Sequence, residues 1–372
     1  MNYNLIRSNF ERALRMLNLN KSQKINENEL PISIGRDLIG TVDDKDTQTI
    51  DLIKNAVGGS NYRDLIINFL VNDVNFPKKE AEILFTYLNN NGNIEAIADY
   101  FTNRDFDINS NMNRKINAAE INSRFGLSGG SSLDFFNFGW RTSPPMGPGE
   151  AYLSAIIAGA KRPKSSEKGD VMVGGAELEV KGPGGRIIGQ KGYGDGKQMR
   201  VAFANAIRAI ADEFQTSVPD EVSNKSDSYW NITKKDARGI EECLRAIAKE
   251  VRHFNGDQIK FISSQLIEAY QTFLLNLDIN GNAWALRDAI KSDGSINVTA
   301  WHDAMLEIYF DYYYSIEGFD AFAMTSRNGY FAIIDPRSFM DFYRAGNIKI
   351  DSNPGFTNGA GVQGATYSIS LS

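Results

Sequence analysis

Apolar residues recur at intervals of three and four along the first hundred positions. Phe10, Leu14 and Leu17 share one helical face, Ile50, Ile53 and Val57 a second, and Leu65, Ile66, Phe69 and Leu70 a third. Asp46, Thr47, Asn61 and Pro77 stand where helices start. The pattern repeats over residues 81–101, broken by Asn89-Asn90-Asn91-Gly92. Residues 1–110 are therefore predicted to form an all-helical N-terminal domain. Residues 111–148 read as linker and loop, rich in Gly, Ser and Pro around the aromatic patch Phe135, Phe136, Phe138 and Trp140. Buried anchoring is the expected role of that patch, with base stacking as the alternative.

A further helix is predicted from near Glu150, with Leu153, Ile156, Ile157 and Ala160 on one face. The period then shortens to two. Strands are predicted at 171–173 and 176–181, joined by the hairpin signal Gly174-Gly175. After a Gly-rich loop at 182–196, Met199, Phe203, Ile207, Ile210 and Phe214 mark a helix. Residues 216–316 are mostly helical. Strand character returns at 321–325 and 330–334, about an Asn328-Gly329 turn, and once more at 366–371. The expected fold is mixed α+β or α/β: helical domain, linker, then a mixed-sheet domain at 149–372 with a helical excursion at 216–316.

Composition narrows the chemistry. With 372 residues, 42% hydrophobic and 23% charged, the chain is long enough for two domains and is neither fibrous nor wholly disordered. Its net charge of −6 means that any nucleic acid must meet a local basic patch. The lone cysteine, Cys243, excludes an intrachain disulfide and a cysteine-rich zinc site, and His253 and His302 stand too far apart in sequence to suggest a His-rich metal site. Residues 1–10 lack the apolar core of a secretory signal, and no apolar run is long enough to span a membrane. An intracellular protein is expected, in the cytoplasm of a cell or host or associated with a virion. Abundant asparagine fits an AT-rich coding source, and a phage-type origin is compatible with it.

The strand 176–181 carries the chemistry. Alternation points Leu178 and Val180 into a core and places Glu177, Glu179 and Lys181 in a row on the other side. Asp170, at the start of the partner strand, can lie beside Glu179. Two carboxylates offer hard oxygen ligands to Mg²⁺, and a lysine can orient water and offset charge on a phosphate. Between positions 161 and 208 ten basic residues face five acidic ones, a local excess of the kind a phosphate backbone needs. The glycines of 182–196 fit neither a Walker A loop nor a dinucleotide fingerprint. The segment that starts at Asp278 fails as an EF-hand, with Ala283 and Ala289 at the glycine and glutamate positions.

The ordered set of acids resembles the PD-(D/E)XK nuclease superfamily, whose restriction-endonuclease-like fold carries an acid on an early helix, then an Asp, then (D/E)-x-K on the next strand. Glu150, Asp170 and Glu179-Val180-Lys181 match those elements over residues 149–214, and Gly169 stands where proline often precedes the Asp. The resemblance implies a sheet completed by the late strands and a Mg²⁺-dependent DNA endonuclease, with Mn²⁺ able to substitute. Asp170, Glu179, the Val180 carbonyl and Glu150 would then hold metal, and Lys181 would position the nucleophilic water. Gln190 matches a polar residue that several members place after this strand. Arg186, Gln190, Lys161, Arg162, Lys164 and Lys191 would meet DNA. Two alternatives stand beside this: a virion or DNA-end-binding structural protein that keeps the fold, and a nuclease for RNA or branched DNA. A homo-oligomer or an assembly partner is left open.

Overall fold

Two sheets organise the described residues, and one of them carries the acids just described. The structure, a computed structural model, describes residues 62–138, 147–163, 169–187, 196–223, 237–352 and 367–372. Its strands run β1 (Arg114–Asn117), β2 (Ala160–Lys161), β3 (Val171–Val173), β4 (Ala176–Lys181), β5 (Gly185–Arg186), β6 (Ala321–Thr325), β7 (Tyr330–Ile334), β8 (Ile348–Ser352) and β9 (Ser368–Leu371). The larger sheet has the order β1-β7-β6-β4-β3-β2. Its pairings are antiparallel except β4 with β6, which run parallel with Lys181 opposite Met324. The mixed α and β character expected from the sequence is thus observed, and β3, β4, β6 and β7 begin and end where the pattern predicts.

The chain divides into two compact units. The first ends at Gly182 and resumes for Phe319–Asp335, and it holds the whole larger sheet. Its β6 and β7 are almost continuously apolar and are buried on both faces, as central strands must be. On the Leu178 and Val180 side lies the helix Pro148–Ile156, with Gly149 and every residue from Ala151 to Ile156 buried. Pro148 occupies the first helical position, where its fixed φ costs nothing and its missing N–H is not needed.

A helix buried this deeply must have its end carbonyls satisfied. Arg104 donates to the carbonyls of Ser154 at 3.1 Å and Ala160 at 3.4 Å, with its guanidinium 4.7 Å from the centre of the Phe69 ring. Burial pulls the Arg104 pKa down to about 10, so the cation persists at neutral pH. The Tyr100 hydroxyl donates to the Ile156 carbonyl at 3.0 Å.

Residues 111–138 are not the linker that their composition suggests. They supply β1, which pairs with β7, and the helices Ala118–Asn122 and Gly130–Phe136. Phe135 and Phe136 pack edge-on against Tyr152 at 5.2 and 4.8 Å, so the aromatic patch is core and not an exposed stacking platform. Trp140 lies outside the described residues. Residues 62–106 likewise share one hydrophobic core with the sheet and the central helix, and do not form a domain apart. Polar residues of this stretch make buried contacts. The Tyr152 hydroxyl donates to Asn122 Oδ1 at 2.7 Å, and Asn122 Nδ2 donates to the Ser132 carbonyl at 2.6 Å. The predicted helices before residue 62 lie outside the described residues.

The second unit comprises Pro183–Gly318 and Pro336–Ser372. The helices Gly196–Glu213, Arg238–Val251, Gly256–Gln271 and Val298–Glu317 account for much of it, in accord with the expected helical excursion. Asn255 opens the third of these with a reciprocal capping box to Gln258. The unit also carries a sheet of its own, β5-β9-β8. The terminal strand therefore pairs away from the larger sheet, and β8 has no counterpart in the sequence pattern.

Asn122→Ala tests whether 111–138 is structural. It leaves the Tyr152 hydroxyl only the Ala118 carbonyl at 3.4 Å, removes the side-chain donor to the Ser132 carbonyl, and should lower the unfolding free energy in urea by roughly 1–3 kcal/mol. A linker position would change it by less than about 0.5 kcal/mol.

Candidate active site

The β3–β4 hairpin positions the acids. Gly174 and Gly175 have φ of +60° and +99°, the positive pair of a type I′ turn that matches strand twist. Along β4, Leu178 and Val180 are buried while Glu177, Glu179 and Lys181 are only partly covered, the alternation read from the sequence. Glu179 and Lys181 thus share the face of their β6 partners Phe322 and Met324, away from the central helix.

Asp170 lies one residue before β3. Its N–H donates to the Leu178 carbonyl at 3.1 Å, and its Oδ2 accepts from Val180 N–H at 2.8 Å. The carboxylate therefore continues the ladder where backbone pairing stops, and this holds it beside Glu179. Gly169 explains the departure from proline at the preceding position. Its φ is +78°, far from the −65° that proline fixes, and a Cβ there would lie 3.2 Å from Glu177 Cβ.

Glu150 arrives from the first turn of the central helix. As the third helical residue it accepts from the N–H of the N-cap Gly147, half of a capping box. Gly149 lets this end of the helix approach the sheet, since a Cβ there would come within 2.8 Å of Thr325 Cγ2 and 3.3 Å of Val180 Cγ1.

Electrostatics bind these residues into one group. Burial first, then the charges of Glu179 and Glu150, push the Asp170 carboxyl up to about 7, against the Val180 N–H and the Lys181 charge. Burial also raises Glu150, with Glu179 adding to it and the Gly147 N–H, Lys181 and Arg162 opposing. Lys181 Nζ lies 2.5 Å from Glu179 Oε1, and the two side chains are only 19% and 13% exposed. Like charges gathered in a half-buried place cost folding energy, the usual signature of a functional site.

Glu150, Asp170, Glu179 and Lys181 thus lie near enough for their charges to act on one another. Arg162 is not free for DNA. Its guanidinium pairs with the buried Glu80 at 3.4 Å, and its carbonyl accepts from Asn75. Lys161 is half-buried on β2, and Arg186 is exposed on β5 in the second unit. Lys164, Gln190 and Lys191 lie outside the described residues. Gly149, Gly147 and Thr325 shape the site and were not anticipated. The run Gly147-Pro148-Gly149-Glu150 was the available signal, a helix start with a glutamate at the capping-box position.

The donors suit a hard divalent cation in kind, being carboxylates with the Val180 carbonyl adjacent. Among the described residues, though, no three His, Cys, Asp or Glu side chains are already gathered to enclose an ion. No protein-family model, curated protein or solved structure matches this chain.

Asp170→Asn keeps an acceptor for Val180 N–H and removes the charge. Folded Asp170 holds its proton to about pH 7, whereas the unfolded chain releases it near pH 4. Its ionisation therefore costs the native state stability progressively as pH rises between those values. In metal-free buffer the variant should be more stable than wild type at pH 8 by about 1–3 kcal/mol, with the gain fading towards pH 4. Urea melts across that range check it. A gain independent of pH would show that the carboxylate is not under this strain.

Proposed function

We propose that this chain is a divalent-metal-dependent phosphodiesterase that cuts DNA, and that its first unit is built on a restriction-endonuclease-like core. The observation that carries the reading is the placement of Asp170: a carboxylate pushed up by burial and then by Glu179 and Glu150, on a hairpin whose next strand ends in Glu179-Val180-Lys181. The order of elements supports it. A helix bearing Glu150 leads to the antiparallel strands β2, β3 and β4, and β6 then lies parallel beside β4.

Asp170, Glu179, Glu150 and the Val180 carbonyl would hold Mg²⁺ or Mn²⁺. Such an ion polarises phosphate and lowers the pKa of bound water. The chain's own residues do the rest. Lys181, two residues beyond Glu179, can donate to the attacking water or to a non-bridging phosphate oxygen, where charge accumulates. Val180 N–H fixes one oxygen of Asp170 and so restricts the carboxylate. Gly147 N–H orients Glu150 in the same way. Orientation of this kind lowers the reorganisation needed during reaction.

Incubation of supercoiled plasmid, branched DNA and RNA with the protein and Mg²⁺ or Mn²⁺ tests the reading. Metal-dependent cutting is expected, with a loss of at least about a hundredfold in Asp170→Ala, Glu179→Ala and Lys181→Ala and an unchanged circular-dichroism spectrum. Cutting confined to RNA would reassign the substrate. DNA binding without cutting under any condition would transfer the protein to the structural, DNA-holding class.

Glu150 can be dissected separately. Glu150→Gln keeps the acceptor for Gly147 N–H and should hold thermal stability close to wild type, while Glu150→Ala should lose about 1 kcal/mol. Loss of cleavage in both variants is expected of a ligand. Full activity in Glu150→Gln would restrict the residue to capping.

A further inference from the structure

A lysine that positions water has to point at the phosphate, yet Lys181 is turned onto its own strand neighbour. Its Nζ is 2.5 Å from Glu179 Oε1, and both side chains are largely covered. Residues two apart on a strand lie on the same side, so the reach is short and local. Among the described residues, Arg162 is the other cation felt at Glu150, and it pairs with Glu80. Asp170 and Glu150 are held by neutral backbone donors, which orient them without cancelling their charge. The Lys181 charge therefore opposes the mutual repulsion of the acids, and it is felt at Asp170 and Glu150 alike.

We propose that the Lys181 ammonium is the resident counter-cation of the metal-free site, and that a divalent ion binds by exchanging with it at Glu179. The inference rests on the metal site of the preceding reading and extends it to how that site is filled. Glu179 Oε1 cannot serve the ammonium at 2.5 Å and a metal ion equally. A doubly charged ion compensates clustered carboxylates more strongly than an ammonium does. Displaced from Glu179, Lys181 keeps its flexible stem and its charge, and becomes available to water and phosphate. Metal entry and release of the lysine are then one event, and the lysine is freed only when the ion is in place.

The exchange is read without DNA, on the full-length protein. Mn²⁺ is titrated calorimetrically into wild type, Lys181→Met, Lys181→Arg and Asp170→Ala. Lys181→Met should bind Mn²⁺ about tenfold more tightly than wild type because the competitor is gone, which is about 1.4 kcal/mol. It should also melt at a lower temperature than wild type without metal and recover with Mn²⁺. Lys181→Arg, which restores a competing cation, should bind close to wild type.

Equal or weaker Mn²⁺ binding in Lys181→Met, with binding lost in Asp170→Ala, would overturn the exchange and leave the metal site standing. Absence of Mn²⁺ binding in wild type and Lys181→Met alike would overturn the metal reading and the exchange with it. A second readout uses wild type alone and does not depend on the variant folding. The ¹⁵N signal of the Lys181 ammonium should be protected from exchange without metal and lost at saturating Mg²⁺. A signal that persists at saturation would overturn the proposal.

Discussion

The first unit depends on keeping one helix almost wholly out of water. Residues 151–156 are buried, and the helix is enclosed by the sheet and by the helices that precede it. Burial of six consecutive residues is favourable only if the polar ends of the helix are answered. At its C-terminal end Arg104 and Tyr100 serve the carbonyls of Ser154 and Ile156. At its N-terminal end Glu150 serves Gly147. The second answer has a chemical consequence. The carboxylate that caps the helix is carried to the sheet where Gly149 abuts Thr325 and Val180, and its charge is felt at Asp170. The most buried element of the unit thus delivers one of its most strained charges.

That strain is unevenly distributed. Backbone donors fix the orientation of Asp170 and Glu150, but a hydrogen bond from a neutral amide does not remove a negative charge from a low-dielectric place. Lys181 is positioned to do so, and it sits nearest Glu179. The site is therefore arranged for compensation by a cation, while the surrounding core supplies the stability that the charges consume. Active-site residues commonly stand in this relation to the fold that holds them.

The sequence made legible whatever depends on local periodicity. Alternation along 176–181, with a Gly-Gly turn before it, fixed the faces of β4, and the apolar runs at 321–325 and 330–334 located β6 and β7. Asp170, Glu179 and Lys181 stand out from that register, and Glu150 from the resemblance of the ordered acids to a nuclease pattern. What stayed hidden depends on partners distant in sequence. Residues 111–138 look like linker because β1 contributes only four residues, and its pairing with β7 cannot be read from Arg114-Lys115-Ile116-Asn117. Arg162 looked like a phosphate ligand because Glu80, its partner, is about eighty positions away. Gly169 looked like a mere absence of proline until its positive φ showed that proline could not stand there.

The parallel pairing of β4 with β6 resolves how such a site can coexist with a long interruption. Parallel neighbours need a crossover, and here the chain leaves the first unit after Gly182 and re-enters it at Phe319. The register Leu178–Ala321 to Lys181–Met324 is set by β-ladder bonds and by the buried side chains of both strands, not by the length of what lies between. Loop-closure cost grows only slowly with length, and the inserted residues fold with Pro336–Ser372 into a compact unit whose sheet takes β5 from the insertion and β8 and β9 from beyond it. Glu150, Asp170, Glu179 and Lys181 all belong to the first unit. The placement of the four residues consequently follows from the helix, the hairpin and the parallel partner strand.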